Sequence, residues 1–198
     1  MDIQEPTIGD ELPNDTRTLS EYYAKFTEEE VFWCQHQPWL ESCGYMLRPR
    51  YRLGWVPSWY GTDKNPRHCE DGHALNSVCP RVSCFTFFSH INEIQERVVD
   101  AVRIFDNQPV LLKKIWMSRF PHEISIGLYF SSPELASDPQ NHCVPLLDVL
   151  KIPDAEGLQL LVMPLLRDFN LPSFTTVGEA VSLFKQIFEV RFVHFGYQ

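Results

Sequence analysis

From residue 98 onward the hydrophobic pattern resolves into short apolar runs separated by turn-forming residues. VVDAVRI (98–104) and PVLLKKI (109–115) flank Asp106-Asn107. Two such runs around a turn pair predict a β-hairpin over 98–115. Pro121 then opens PHEISIGLYF, where Ile124 and Leu128 stand one helical turn apart, predicting a helix over 121–131. CVPLLDVLKI and LQLLVMPLL read as two more strands around a PDAEG turn. In TTVGEAVSLFKQIFE, residues Val177, Val181, Phe184 and Phe188 share one face of an amphipathic helix expected over 173–189.

The first half is less regular. Residues 1–18 are acidic and polar and read as a disordered tail. Residues 22–80 form a helical and irregular extension. Within it, Thr27 and Glu30 have capping-box spacing, which predicts a helix over about 27–36. Pro38 starts a short second turn that Gly44 closes. Residues 45–80, rich in proline, glycine, arginine and aromatics, predict irregular structure anchored by Trp55 and Trp59. Residues 81–97 are an atypical insert, in which CFTFF suits a strand and INEIQER a helix.

Composition narrows the class without changing this outline. Of the 198 residues, 44% are hydrophobic and 13% aromatic, enough to build a core. The formal net charge of −9 argues against a nucleic-acid or anionic-membrane binder, which would carry a basic surface. No apolar run of about 18 residues occurs, and the N-terminus lacks the basic start and apolar stretch of a secretory signal. The expected compartment is the cytoplasm or nucleus. The six cysteines form no CxxC pair and are expected as free thiols.

The order is strand, turn, strand with lysine, helix with glutamate, two strands ending in VMPLL, then a helix. It resembles the N-terminal lobe of a protein kinase followed by the first long helix of the C-terminal lobe. FWCQHQPWLESCGYMLRPRYRLGWVPSWYGTD, VVDAVRIFDNQPVLLKKI and NHCVPLLDVLKI are similar to a group of protein-kinase-like proteins common in mushroom-forming fungi. The resemblance covers roughly residues 22–80 and 98–189 and implies an α+β fold. In it, residues 98–166 form a kinase N-lobe-like sheet of about four antiparallel strands with its helix, and 167–198 begin a C-lobe. A first strand is expected near 74–82. The activity implied is phosphate transfer from ATP with Mg to a hydroxyl of a protein substrate.

Val110-Leu111-Leu112-Lys113 matches the kinase pattern Val-Ala-Ile-Lys, whose lysine holds the α- and β-phosphates and pairs with a glutamate on the next helix. A fixed cation suits the dense negative charge of phosphates. Strand period puts Lys113 on one face with Leu111 and Ile115, and Lys114 on the other with Val110 and Leu112. Lys113 is therefore the expected inward lysine, Lys114 the outward one, and Glu123, ahead of Glu134, the expected partner. Leu111 replaces the small alanine of the pattern and crowds the adenine side. The resemblance also assigns Ala101 to the nucleotide pocket and makes Met163 the guard at its back. Leu165 and Leu166 become hinge residues whose backbone meets adenine, since Pro164 has no N–H.

Other parts of the kinase pattern are missing. There is no GxGxxG loop and no His-Arg-Asp, and Arg167-Asp168-Phe169-Asn170 sits at the wrong place for Asp-Phe-Gly and reads as a polar loop. The chain alone is thus expected to be inactive, and the alternative reading is a pseudokinase-like, non-catalytic binding module or a nonfunctional fragment. Residues 82–97 and 190–198 interrupt the resemblance and both begin with valine, whose codons start with GT as introns do. They are expected to be translated intron, which a spliced transcript would test. Without a C-lobe, Val177, Val181, Phe184 and Phe188 are expected to face solvent. His68, Cys69, His73 and Cys79 lack the paired spacing of a zinc site, and RPRYR (48–52) reads as a solvated loop.

Overall fold

The computed structural model describes residues 24–26, 28–72, 97–166 and 173–196. Five antiparallel strands form one curled sheet in the order β1-β2-β3-β5-β4. They are β1 Tyr45–Leu47, β2 Val98–Arg103, β3 Gln108–Trp116, β4 Asp148–Lys151 and β5 Leu158–Pro164. Helix α1 (Glu28–Ser42) precedes the sheet. Helices α2 (Glu123–Phe130) and α3 (Pro133–Ala136) lie between β3 and β4, and α4 (Val177–Gly196) follows β5. The α+β class holds. The sheet has one strand more than expected, because Tyr45–Leu47, read as irregular, pairs with β2. Residues 74–82, where a first strand was expected, lie outside the described residues, as do the 1–18 tail, 81–96 and the 167–170 loop.

The hairpin closes where its turn chemistry sits. Arg103 bonds both carboxylate oxygens of Asp106, at 3.0 and 2.6 Å, and Asn107 takes φ +59°, a conformation asparagine tolerates. Pairing runs from Val98 opposite Lys113 to Arg103 opposite Gln108. The strand expected across CVPLLDVLKI is shorter, beginning at Asp148, after Pro145.

The core lies on one face of this sheet. Tyr45, Leu47, Val99, Ala101, Val110, Leu112, Leu160 and Val162 meet Trp33 and Leu40 of α1. Trp33, Gln37 and Leu40, at helical spacing, are buried on one side of α1. That side explains why α1 runs straight through Pro38, where a break was expected. The proline forfeits one helical hydrogen bond, but Trp33 and Leu40, both fully buried, hold the two halves on the same surface. Gly44, at φ +93°, ends the turn that follows.

Two charged groups expected at the surface are inside. Arg50, in RPRYR, is 1% exposed and donates to both oxygens of Glu30 at 2.6 and 3.1 Å. Its guanidinium lies 5.1 Å from the ring centres of both Phe26 and Trp55. Glu30 therefore serves Arg50; Thr27, its expected capping partner, lies outside the described residues. Arg48 is also buried, with Nε 3.0 Å from Asp100. Asp71 accepts from the Trp55 indole, the Ser58 N–H and the Ser58 hydroxyl at 3.0, 2.8 and 2.6 Å. Burial pushes its carboxyl up, but these donors outweigh that and hold it below its ordinary value.

Although β1 and β4 are opposite edges, Tyr45 Oη donates to Asp148 Oδ2 at 3.1 Å, which shows how far the sheet curls. Burial, then the Asp148 charge, pushes the Tyr45 hydroxyl up to about 12. No helix among the described residues is long and apolar enough to cross a membrane.

Two outcomes follow for the N-terminal unit. Arg50→Ala leaves Glu30 charged and buried without its guanidinium, and should lower unfolding free energy by about 3–5 kcal/mol in denaturant melts. Asp71→Asn should remove an increment of stability that wild type keeps above the ordinary carboxylate range, about pH 4. Wild type should lose that increment as pH falls through the depressed folded value, so the two melting curves converge in acid.

Candidate functional site

β3 presents two adjacent lysines to opposite faces. Lys114 belongs with Val110 and Leu112 on the core side and is 6% exposed. Its ammonium lies 4.7, 5.4 and 5.8 Å from the ring centres of Phe32, Trp33 and Trp116. The outward assignment of Lys114 is therefore corrected. The face expected to meet solvent is covered by α1, whose aromatic rings give the ammonium a cation–π surround.

Lys113 faces the other way. Its ammonium pairs with the carboxylate of Glu123, the first residue of α2. The β3–α2 connection sets that approach: Phe120 N–H donates to the Trp116 carbonyl at 2.8 Å, turning the chain back toward the strand. Arg97 stacks over Trp116 and Phe120, at 5.5 and 5.0 Å, and braces the same turn. Glu134, the weaker competitor, is exposed on α3.

α2 is seated by its C-terminal half rather than by this pair. A Cβ on Gly127 would come within 3.3 Å of Leu146 Cδ2, so glycine permits the close approach. Ser131 Oγ donates to the Gly127 carbonyl and accepts from Leu146 N–H, both at 2.8 Å. The Asn141 amide donates to the carbonyls of Phe130 and Leu135. The packing residues are thus Gly127 and the buried Phe130, while Leu128, one helical turn from Ile124, is 52% exposed.

The register places the other expected site residues. Leu111 stands opposite Met163 on β5, on the Lys113 face. Ala101 does not join them. It pairs with Val110 and is buried in the core, on the opposite face from Lys113, because it is one residue out of phase. The residues of β2 that share the Lys113 face are Val98, its direct partner, Asp100, opposite Leu111, and Val102, opposite Pro109, and Leu161 flanks Lys113 on β5. Period-two counting from Lys113 across the hairpin would have found Val98. Leu165 also differs from expectation. Its N–H donates to the Pro109 carbonyl at 3.1 Å, which takes that donor away from a base, while Leu166 is exposed.

Among the described residues no three His, Cys, Asp or Glu side chains converge as a metal-binding group. His68 is exposed and the Cys69 thiol donates to the Asn65 carbonyl, while His73 and Cys79 lie outside the described residues. His142, without an assigned role in the sequence, lies with Nε2 2.9 Å from Glu189 Oε2 and ties the segment before β4 to α4. The Glu189 carboxyl is held below its ordinary value by that bond and by Lys185.

Among known proteins, no family model, no curated protein and no solved structure matches this chain.

The Lys113 and Glu123 side chains are 28% and 30% exposed, and a pair this wet contributes little to folding. A double-mutant cycle of Lys113→Met and Glu123→Gln, read by urea melts, should give a coupling energy below about 1 kcal/mol. A coupling of several kcal/mol would make the pair a structural element.

Proposed function

We propose that this chain is the nucleotide-binding lobe of a protein-kinase-like phosphotransferase, with Lys113 holding ATP phosphates and Glu123 orienting Lys113. The observation that carries the reading is the Lys113–Glu123 ion pair itself. It spans a sheet strand and the first turn of the next helix, at a partly hydrated position. The strand order with α2 inserted between β3 and β4 supports the same reading. Phosphates carry dense charge, and a lysine already paired to a carboxylate is fixed in direction before ligand arrives.

The residues fit the phosphate part of ATP-Mg better than its base. Leu111 and Met163 offer an apolar surface on the Lys113 face, but Leu111 is large and the Leu165 N–H is used inside the sheet. In this reading the metal arrives with the nucleotide, and the chain supplies phosphate and base contacts. The 198 residues contain no His-Arg-Asp or Asp-Phe-Gly segment, so phosphate transfer to a protein substrate is not assigned to them. The crowding at Leu111 and the occupied Leu165 donor favour a second reading, a non-catalytic binding module in which Lys113 and Glu123 are an ordinary surface ion pair.

Thermal shift separates the two. Under the first reading ATP-Mg stabilises the wild type, by about 2.7 kcal/mol at a hundredfold excess over Kd, and Lys113→Met loses that stabilisation while its ligand-free melt stays near wild type. Equal shifts in both proteins, or none in either, would remove the phosphate role.

A further inference from the structure

The two ends of α2 are held by different means. Its far end is seated through Gly127, Phe130 and the Ser131 bonds. In its first turn Glu123 and Ile124 are half-buried, while Ser125 and Ile126 are exposed. A tilt of about 5° about the seat moves the start of a helix about 12 Å long by about 1 Å. Packing of the far end therefore leaves the position of Glu123 to the turn that precedes it. There the Glu123 N–H donates to the Phe120 carbonyl at 3.4 Å, and the Phe120 N–H to the Trp116 carbonyl at 2.8 Å.

We infer that Arg97 is a positioning residue for the Lys113–Glu123 pair, acting through this turn. Its carbonyl accepts the Lys114 N–H at 2.7 Å, which pins it to β3, and the next residue, Val98, stands opposite Lys113. Its guanidinium lies 5.5 and 5.0 Å from the ring centres of Trp116 and Phe120, the two residues whose backbone bond closes the turn. One residue thus joins the hairpin end that sets Lys113 to the turn that delivers Glu123. A planar guanidinium suits the task, because it stacks on rings where an ammonium acts as a point charge. Arg119 also lies over the Phe120 ring, at 5.6 Å, but it belongs to the turn itself and cannot tie the turn to the hairpin. The purpose of the positioning, an ammonium fixed in direction before phosphate arrives, rests on the phosphate reading above; the positioning itself does not.

Acylation of the whole chain by acetic anhydride, with no nucleotide present and each lysine read by peptide mass spectrometry, tests this. An ammonium bonded to a carboxylate must leave it before its nitrogen can attack an acyl group. Glu123→Gln therefore speeds labelling of Lys113 by about twofold to fivefold, the factor an exposed ion pair is worth. Arg97→Ala gives the same rise, and so does Phe120→Leu, which keeps the apolar bulk without the ring. In the Glu123→Gln background, Arg97→Ala adds nothing, because it acts only through Glu123. No rise in Glu123→Gln, an unchanged Lys113 rate in Arg97→Ala and Phe120→Leu, or a further rise in the double variant would overturn the inference. Equally faster labelling of the buried Lys114 would do so too, by showing a general opening of β3. Failure of ATP-Mg to bind would remove the phosphate role and leave these rates as they stand, so the two readings fail separately.

Discussion

The structure depends on the period of β3. Because successive side chains on a strand alternate faces, Lys113 and Lys114 cannot share an environment, and each is held by a different helix. α1 takes Lys114 among Phe32 and Trp33; α2 takes Lys113 through Glu123. A slip of one residue would send Lys113 into the aromatic surround and carry Leu112 out of the core. The buried face opposes that slip strongly, since Val110 and Leu112 are 1% and 0% exposed. Register is thus fixed on the core side and read out on the other.

The N-terminal unit achieves its burial with charge as much as with hydrocarbon. Glu30, Arg50 and Asp71 are buried together with Trp33, Tyr51 and Trp59. Buried ions are tolerated where hydrogen bonds and rings replace water. Arg50 meets both conditions, with two carboxylate oxygens, the Lys25 and Asp71 carbonyls, and two aromatic faces. Such an arrangement is directional, and so it fixes how residues 49–72 fold back on α1.

Much of the C-terminal half could be read before any coordinates. The hairpin, the two later strands, the helix carrying Glu123 and the apolar face of α4 follow from local periodicity and turn residues, which are short-range signals. The Lys113–Glu123 pairing was expected only through the resemblance to the kinase pattern, since strand phase and helix start do not by themselves bring the two side chains together. Three features were not. β1 is three residues long and gains its identity only by pairing with a strand more than fifty positions away. The fate of RPRYR turned on Glu30, twenty residues upstream of Arg50, and composition alone made it look solvated. Ala101 was misplaced for a different reason: the resemblance assigned it to the pocket, while its phase relative to Lys113 is fixed by the hairpin register.

The seat of α2 and the residue it delivers are at opposite ends of one short helix. Eight residues span about 12 Å, with Gly127, Phe130 and the Ser131 and Asn141 bonds near the C-terminal end and Glu123 at the first position. The packed end is dry and hydrogen-bonded; the other end holds a partly hydrated ion pair. Energies of these two kinds differ, because surface pairs contribute little while buried amide bonds left unmade are expensive. The helix therefore stays seated whether or not Lys113 and Glu123 remain in contact. Lys113 can turn from Glu123 toward another anion at small cost, which a buried pair such as Arg50–Glu30 could not do.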